Sequence, residues 1–399
     1  MSAPTDGPQP LAPTAGLVQP RLVQERWELA SARIEQSLAN DLVLAFVGAS
    51  SAGKDAAIRA LFGVDFGEVD PIPGSTDRLR AVPIDDSGRV VVVNAPGFGD
   101  LRAHVEQATA SLLDRIDLAV YVLNADGGAT ADERRHLAEV RALGRPVLVC
   151  VNKIDLIRPH QRADFLAATL HQLGVGPEDA VATAFDPLPA LSPRPIGTDA
   201  VADWIGRMLS DSGKSLLFAK QLRNRAAACE PIIRSAARKA ALAGAIPVPG
   251  ADMTAVTAIQ VQLISDIAAA FDQKVTQDVA LFIMGEALAG AGRSFARWTA
   301  SALKAAGWLP GGQLGEVAAT ALGASIASAS TYGVGRAAIL YMQRLQEGRA
   351  LSAVEVREVF DRFALAWKDG RVDPPDGAID PVGADRIPDL PVVPAGDDP

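Results

Sequence analysis

The apolar positions in the first half of the chain fall into short continuous runs, with segments of helical periodicity between them. Residues 42–47, 90–93 and 147–151 have the length of buried strands, and a shorter apolar run covers residues 180–182. Strand-length runs that alternate with helical patterns are typical of a parallel α/β sheet. The pattern predicts an α/β domain over residues 41–212, with a helix before it in residues 21–40 and a strand–turn–strand over residues 80–93.

The pattern changes near residue 210, and the second half is rich in alanine without a convincing strand. A segment that ends near Phe271 carries Ile259, Leu263 and Ile267 at helical spacing. The sequence therefore predicts an all-α helical domain over residues 216–368. The two ends, residues 1–20 and 370–399, are rich in proline and lack periodicity, so we expect disordered tails there.

One stretch of the helical half, residues 317–335, holds no charged residue and consists mostly of Ala, Gly, Ser and Thr. Its length alone would suffice for a membrane span, but Leu, Ile, Val and Phe are too few for a typical one. Small residues at a spacing of four favour close helix packing in lipid or in water. We expect a tightly packed helical bundle, and a peripheral membrane contact and a transmembrane hairpin remain open as alternatives.

Glycine-rich or polar segments follow three of the predicted strands. Residues 48–54 follow the first apolar run, residues 94–97 the second, and residues 152–155 the third. Ligands of open α/β sheets bind at the carboxyl ends of the strands. The three segments are therefore expected to meet in one pocket.

The first of these segments carries residue types that bind phosphate. Gly48 and Gly53 bracket a loop whose N–H groups would cradle phosphate oxygens at a helix N-terminus, and Lys54 would reach the β- and γ-phosphates. Gly97 would place its N–H against the γ-phosphate, and Thr76 would offer its hydroxyl to Mg²⁺. We therefore expect Lys54, Thr76 and Gly97 to act in catalysis.

The third segment predicts which base is bound. Asp155 can accept hydrogen bonds from guanine N1–H and the exocyclic amine, whereas adenine presents an acceptor at N1 and would leave the carboxylate unsatisfied. Asn152 would bridge the base and the loop, and the stem of Lys153 would lie over the ring. Thr183 and Ala184 would supply a backbone N–H to guanine O6. The predicted ligand is a guanine nucleotide.

Net charge and cysteine content indicate which partners and which cellular compartment to expect. The 399-residue chain has a net charge of −9, which argues against a nucleic-acid partner because phosphate binding needs a basic face. Cys150 lies in an apolar run and Cys229 in a helical stretch, so we expect two buried, reduced thiols and a cytoplasmic protein. No signal peptide is apparent. Membrane association remains the open alternative for localisation.

Residues 41–210 resemble a Ras-like P-loop GTPase domain of the Era and TrmE type, whose motifs are matched in order by residues 48–54, Thr76, residues 94–97, residues 152–155 and Thr183-Ala184. The resemblance implies a mostly parallel six-stranded sheet flanked by helices. It also implies that GTP and GDP bind with Mg²⁺ and that GTP is hydrolysed. The nucleotide-binding residues that it implies are Gly48, Ser51, Ala52, Gly53, Lys54, Asp55, Ala56, Asn152, Lys153, Asp155, Thr183 and Ala184.

Three positions depart from the family pattern. Asp55 stands where the family has a Ser or Thr that binds magnesium, and Asn94 replaces an aspartate near the metal. Either Asp55 binds Mg²⁺ directly, together with Thr76, or it repels the β-phosphate and the site has decayed. Phe98 stands where Ras-like proteins have a water-orienting glutamine, and Ser51 stands where some relatives have a potassium-recruiting Asn. No water-positioning residue is identified.

Residues 225–345 are similar to the helical domain of unknown function of YcjF-like bacterial proteins, which is often regarded as membrane-associated. The similarity rests on residues 247–252 and on the segment from Thr331 to Ala337. We expect a guanine-nucleotide-binding switch that hydrolyses GTP slowly and uses the helical domain as an effector for an unidentified protein partner. A non-hydrolysing binding module and a dynamin-like membrane-associated GTPase are the alternatives.

Overall fold

The computed structural model of the chain describes residues 19–65, 80–95, 114–210, 212–245, 251–287, 289 and 312–372. Of the positions discussed above, Thr76, residues 96–98 and residues 247–250 lie outside these ranges. So do the expected tails, apart from a few residues at their inner ends.

A six-stranded sheet forms the centre of the first half. Its strands are β1 (Leu42–Val47), β2 (Arg80–Pro83), β3 (Val90–Ala95), β4 (Leu118–Asn124), β5 (Val147–Asn152) and β6 (Ala180–Ala182), in the spatial order β2-β3-β1-β4-β5-β6. Only β2 is antiparallel to its neighbour among these strands. The prediction of a mostly parallel six-stranded sheet is confirmed, as is the strand–turn–strand formed by β2 and β3.

Both faces of the sheet are buried, which explains why its central strands are continuously apolar. In β1, Leu44 lies opposite Val92 of β3 and Leu118 of β4, and all six side chains of β1 are buried. Successive side chains point to opposite faces. Leu44 and Phe46 therefore belong to one hydrophobic cluster, while Val43 and Ala45 belong to another.

Helices cover the two faces. The helices of the first half are α1 (Pro20–Leu38), α2 (Lys54–Phe62), α3 (Ala131–Arg141), α4 (Arg162–Leu173) and α5 (Thr198–Leu209). Leu137 of α3 and Leu170 of α4 pack on the face that carries Val43. Ile58 of α2 and Trp204 of α5 pack on the opposite face.

The described part of the second half is helical and contains no strand. It comprises α6 (Ser215–Gln221), α7 (Arg225–Gly244), α8 (Ala251–Ala270), α9 (residues 277–287), α10 (Gly312–Gln346) and α11 (Ala353–Lys368). The expected all-α character holds over these ranges. The N-terminal helix α1, which precedes the sheet in sequence, packs against α8 of this half.

The helical half continues the core of one sheet face. Phe62 at the end of α2 packs edge-on against Phe46 of β1 and against Phe218 of α6, with ring centroids 6.2 and 6.1 Å apart. The backbone N–H of Arg223 donates to the carbonyl of Leu61 at 2.8 Å. The helix that follows the glycine-rich loop is thus in direct contact with the start of the helical half.

The uncharged stretch at residues 317–335 lies within α10, and several of its small polar side chains have partners inside the bundle. Nε2 of Gln260 donates to the hydroxyls of Ser330 and Thr331, at 3.4 Å each, and Nε1 of Trp367 donates to that of Ser328 at 2.8 Å. Within the described ranges, no helix is both long and apolar enough to cross a membrane.

The segment around Tyr332 and Arg336 joins three helices. Both side chains donate to the carboxylate of Glu230 on α7, at 2.6 and 2.9 Å, and the Tyr332 ring stacks on Trp367 of α11 at 4.4 Å between centroids. The segment from Thr331 to Ala337, one of the two that carry the similarity to the YcjF-like domain, therefore connects α7, α10 and α11. On α7, Cys229 is a buried free thiol like Cys150 of β5, and burial raises both pKa values. The expectation that both thiols are buried and free of a disulfide is confirmed.

Candidate nucleotide site

The loop between β1 and α2 adopts a conformation that requires glycine at both ends. Gly48 has φ of 148°, and a Cβ at this position would collide with the carbonyl of Val122 on β4. Gly53 has φ of 95°, and a Cβ there would collide with Nδ2 of Asn152. Both residues therefore permit a close backbone approach that other residues would prevent.

Lys54 is the first residue of α2, and its side chain folds back over the loop. Nζ donates to the carbonyls of Gly48 at 3.0 Å and Ala49 at 2.9 Å, and the residue is only 3 % exposed. Burial lowers the pKa of Lys54 to about 8, although the charges of Asp55 and Glu133 oppose this shift. A bound phosphate would add negative charge beside the ammonium and favour its protonated form.

The other predicted phosphate-loop residues lie on either side of this lysine in the chain. Ser51 is exposed at the turn, whereas Ala52 is buried and its carbonyl accepts a hydrogen bond from Asn152. Ala56 lies in the first turn of α2 and is half-buried. The backbone N–H groups at this helix N-terminus and its positive dipole end favour an anion.

Asp55 and Asn94, the two residues that depart from the family pattern, are in direct contact. Nδ2 of Asn94, at the end of β3, donates to Oδ1 of Asp55 in the first turn of α2. Oδ1 of Asn94 is buried and has no hydrogen-bond partner within the described ranges. The two substitutions thus place a carboxylate and an unpaired amide oxygen side by side at the phosphate loop.

Asn152 connects the two ends of the predicted pocket. Its Nδ2 donates to the carbonyl of Ala52 in the loop at 2.8 Å. Its Oδ1 accepts from the hydroxyl of Thr183 at 3.3 Å and from the N–H of Phe185 at 3.1 Å. Asn152 is 2 % exposed, so this bridge is an internal part of the structure.

Lys153 and Asp155 follow immediately. Lys153 is left-handed, with φ of 63°, a conformation that is uncommon for residues other than glycine. Asp155 lies in the short 3₁₀ turn Ile154–Leu156 and is 8 % exposed. Its Oδ2 accepts from the N–H of Leu188 at 3.3 Å. The carboxylate is thus held at the carboxyl end of β5.

The prediction that Thr183 or Ala184 offers a backbone N–H to guanine is wrong for this conformation. The N–H of Thr183 donates to the carbonyl of Val151 at 2.9 Å, and that of Ala184 donates to the carbonyl of Ile196 at 3.1 Å. Both amides are used within the backbone because β6 pairs with β5 and a bridge joins Ala184 to Ile196. Thr183 instead contributes its hydroxyl to the Asn152 bridge.

Glu133 is a neighbour of the site that was not predicted from the sequence. It lies in the first turn of α3, where Thr130 caps the helix by accepting from the Glu133 N–H at 3.1 Å. Its carboxylate accepts from the hydroxyl of Tyr121, a buried residue of β4, and burial with this acidic partner raises the pKa of Tyr121. The same carboxylate favours the charged form of Lys54. The Thr-x-x-Glu pattern at the helix start was the available signal.

Thr76 and Gly97 lie outside the described residues. The described part of the site consists of the glycine-rich loop, the Asp55–Asn94 pair and residues 152–155. Within the described ranges, no group of three or more His, Cys, Asp and Glu side chains could by itself hold a metal ion. A magnesium ion at this site would therefore take part of its coordination from phosphate oxygens and water, as Mg²⁺ usually does.

Two family models match the chain. Residues 43–153 match the model described as 50S ribosome-binding GTPase, and residues 210–365 match a domain of unknown function (DUF697). GTPase Der of Halorhodospira halophila is 31 % identical over 175 residues, which cover 39 % of this chain and 36 % of Der. GTPase Era of Lacticaseibacillus paracasei is 24 % identical over 136 residues, which cover 32 % of this chain and 44 % of Era. The chain therefore spans less than half the length of these curated relatives.

Solved structures give the same kind of similarity. That of a probable GTP-binding protein engB has a TM-score of 0.30 and 19 % identity, and the match covers 42 % of this chain and 99 % of engB. A structure of Era in complex with MgGDPNP and part of 16S ribosomal RNA has a TM-score of 0.28 and 17 % identity, and the match covers 45 % of this chain and 67 % of Era. The RNA is a ligand of that Era protein, and the expectation of no nucleic-acid partner for this chain stays a prediction.

Proposed function

The chain belongs to the P-loop GTPases through its first half and to the DUF697 helical family through its second, and on this premise we propose a guanine-nucleotide-binding switch that hydrolyses GTP slowly. In this proposal the nucleotide lies at the carboxyl ends of β1, β3 and β5, with its phosphates at residues 48–56 and its base at residues 152–155. The GTPase unit ends near residues 210–213, and the helical unit reads the nucleotide state for a partner.

The observation that carries the proposal is the bridge made by Asn152. One buried amide contacts the phosphate loop through Ala52 and the β6 loop through Thr183 and Phe185. A buried amide whose donor and acceptor are both satisfied fixes the relative positions of the elements it joins. This supports the proposal that Asp155 and Lys54 belong to one pocket, in which Asp155 would bind a guanine base and Lys54 would bind phosphates.

The residues at the phosphate end fit a magnesium ion, the metal that P-loop GTPases use. Carboxylate and amide oxygens are hard ligands of the kind Mg²⁺ prefers, and Asn94 has a buried amide oxygen with no partner in the described ranges. We assign Asp55 as the direct ligand, with Asn94 beside it and Thr76 as a second ligand. The ion, when bound, neutralises charge on the β- and γ-phosphates.

Hydrolysis in this proposal rests on electrostatics supplied by the chain itself. The Lys54 ammonium and the N–H groups of the loop stabilise negative charge on the transferring phosphoryl group, and Gly97 adds an N–H to the γ-phosphate. No described residue is identified as orienting the attacking water. We therefore expect turnover in the absence of a partner to be on the order of 10⁻³ s⁻¹, the range of intrinsic rates in such enzymes.

Contacts of α5 support the proposed role of the helical unit. The bridge between Ala184 and Ile196 ties the base-side loop to the residues that lead into α5. Asp203 of α5 lies 3.8 Å from the guanidinium of Arg234 on α7. A structural change at the loop after β6 can therefore reach the helical unit through α5 and α7, which are in direct contact.

The proposal is tested by GTP turnover and affinity of the full chain across a magnesium titration. Wild type is expected to hydrolyse GTP slowly and to bind it at least about tenfold more tightly with Mg²⁺. Asp55→Ala should lose this tightening, and the double variant Asp55→Ser with Asn94→Asp should restore it because it rebuilds the usual arrangement. Asp186→Ala, on an exposed aspartate that pairs with Arg59, is the control and should behave like wild type.

Two results would contradict parts of this proposal. If wild type shows no magnesium dependence and Asp55→Ser alone strengthens GTP binding, Asp55 repels phosphate and the metal assignment fails. If nucleotide binds with the expected magnesium dependence but no phosphate is released over many hours, the protein is a binding module and not an enzyme.

A further inference from the structure

A cavity of about 750 Å³ lies between α1, α7 and α8, and its described lining shares no residue with the candidate nucleotide site. Much of its wall is apolar and includes Leu216, Ile259 and Leu263, with Leu29 of α1 at the edge and 61 % exposed. Its volume is within the range of small-molecule sites, and apolar walls with a few polar groups are typical of such sites. Nothing in the proposed nucleotide chemistry uses it.

The charged groups of this cavity are mainly basic, with three basic residues and one acidic residue among the described lining residues. Arg26 and Arg33 of α1 and Lys239 of α7 belong to its lining, and none of the three forms an ion pair within the described ranges. Nε of Arg26 is buried and lacks a hydrogen-bond partner among the described residues. Leaving a buried charged donor unpaired is costly, so an anion at this position would recover that cost.

Asp266 of α8 is the acidic residue among the described lining residues. Its carboxylate accepts from Nε2 of Gln262 at 2.7 Å. Burial raises the pKa of Asp266 to about 6, while the Gln262 hydrogen bond and the charges of Arg33 and Lys239 oppose the shift. Burial and the charge of Asp266 raise the pKa of the Cys229 thiol on α7, which stays neutral. Acidification below pH 6 therefore leaves the lining more positive.

We propose that this cavity binds a single-chain amphipathic anion, with an alkyl or acyl chain against the apolar wall and a carboxylate or phosphate headgroup at Arg26, Arg33 and Lys239. A neutral apolar ligand would leave the basic groups unpaired. A free inorganic anion would leave the apolar wall in contact with water. A ligand with both parts would pair with the basic groups and cover the apolar wall at the same time.

The test uses decanesulfonate below its micelle concentration as the probe, because its charge is constant between pH 5.5 and 7.5. By calorimetry on the full chain, we expect its Kd to be at least about tenfold lower than those of decanol and methanesulfonate, which present the chain and the headgroup separately. Acidification from pH 7.5 to 5.5 should tighten binding. Asp266→Asn should bind more tightly at pH 7.5 and lose most of this pH dependence.

Variants test the contributions of the basic groups and of the apolar wall to binding separately. The double variant Arg33→Gln with Lys239→Gln should raise the Kd for decanesulfonate at least about tenfold. Arg21→Gln, an exposed arginine on the same helix outside the lining, should leave it unchanged. Ala258→Phe should fill the cavity and abolish binding without altering GDP affinity. If that variant does not fold, the charge variants still decide the question.

Four outcomes would overturn the proposal. If decanol binds as tightly as decanesulfonate, the apolar wall alone accounts for binding. If methanesulfonate binds as tightly as decanesulfonate, the basic groups alone account for it. An unchanged Kd for decanesulfonate in the double variant Arg33→Gln with Lys239→Gln would mean that these side chains do not bind the headgroup. Binding to phosphatidylglycerol vesicles without any binding of the monomeric probe would mean that a membrane surface, and not a single amphiphile in the cavity, is what these basic groups contact.

Discussion

Replacing Lys54 with alanine is expected to weaken the binding of GDP and GTP by at least about 100-fold, since the ammonium is the charge-assisted donor at the phosphate end of the site. Its Nζ lies within hydrogen-bond distance of two loop carbonyls, those of Gly48 and Ala49, and is buried beneath the loop. A phosphate bound at the start of α2 would lose the one cationic group that the loop places there. The measurement is titration of a fluorescent GDP analogue.

The control for this variant is Lys220→Ala. Lys220 pairs with Asp272 at 2.8 Å at the surface of the helical half, so its removal should leave GDP affinity unchanged. The melting temperature of Lys54→Ala should remain close to that of wild type, because the burial of an ammonium is itself unfavourable. Retained GDP affinity in a folded Lys54→Ala protein would mean that the glycine-rich loop is only a structural turn.

Replacing Asp155 with asparagine is expected to convert the preference from guanine to xanthine nucleotides. Guanine offers N1–H and an amine, both donors, to a carboxylate. Asparagine keeps an acceptor for N1–H but presents its own donor to the second position, where xanthine carries a carbonyl. We expect GTP affinity to fall at least about 100-fold and XTP affinity to rise, because a buried donor facing a donor is strongly unfavourable.

Asp186→Asn is the matched control, since Asp186 is nearby in sequence and its side chain is 68 % exposed. It should leave the preference for GTP unchanged. The affinities for GTP, XTP and ATP are measured by competition against labelled GDP. Wild type, Asp155→Asn and Asp186→Asn are compared under the same conditions. If Asp155→Asn loses GTP without gaining XTP, Asp155 is a structural residue that holds the Leu188 segment through its 3.3 Å hydrogen bond and does not contact the base.

The sheet could be predicted because both of its faces are buried, which makes strands such as Leu42–Val47 continuously apolar. The position of α1 could not, because a helix predicted over residues 21–40 does not indicate which element will cover it. The helix packs on α8, more than 200 residues later in the chain. The long helix α10 was hard to interpret for a related reason, since small polar residues such as Thr331 find their partners only in the assembled bundle.

The spacing of motifs along the chain was enough to predict which residues form the site. It was not enough to predict which of them form hydrogen bonds with each other. Asn152 bonds to Ala52, a residue 100 positions earlier, and Asn94 bonds to Asp55 across 39 positions. No local pattern encodes such pairs. The role expected for the Ala184 amide failed because a single backbone bridge to Ile196 takes its donor, and such a bridge leaves no trace in composition or periodicity.

The measurement that tests the central claim most directly is calorimetric titration of the wild-type full chain with GTP and with ATP in the presence of Mg²⁺. The account predicts saturable binding of GTP with one site per chain and an affinity for ATP at least about 100-fold weaker, because Asp155 can accept from guanine and not from adenine. Equal affinity for the two nucleotides, or no binding of either, would contradict the assignment of this pocket to guanine nucleotides.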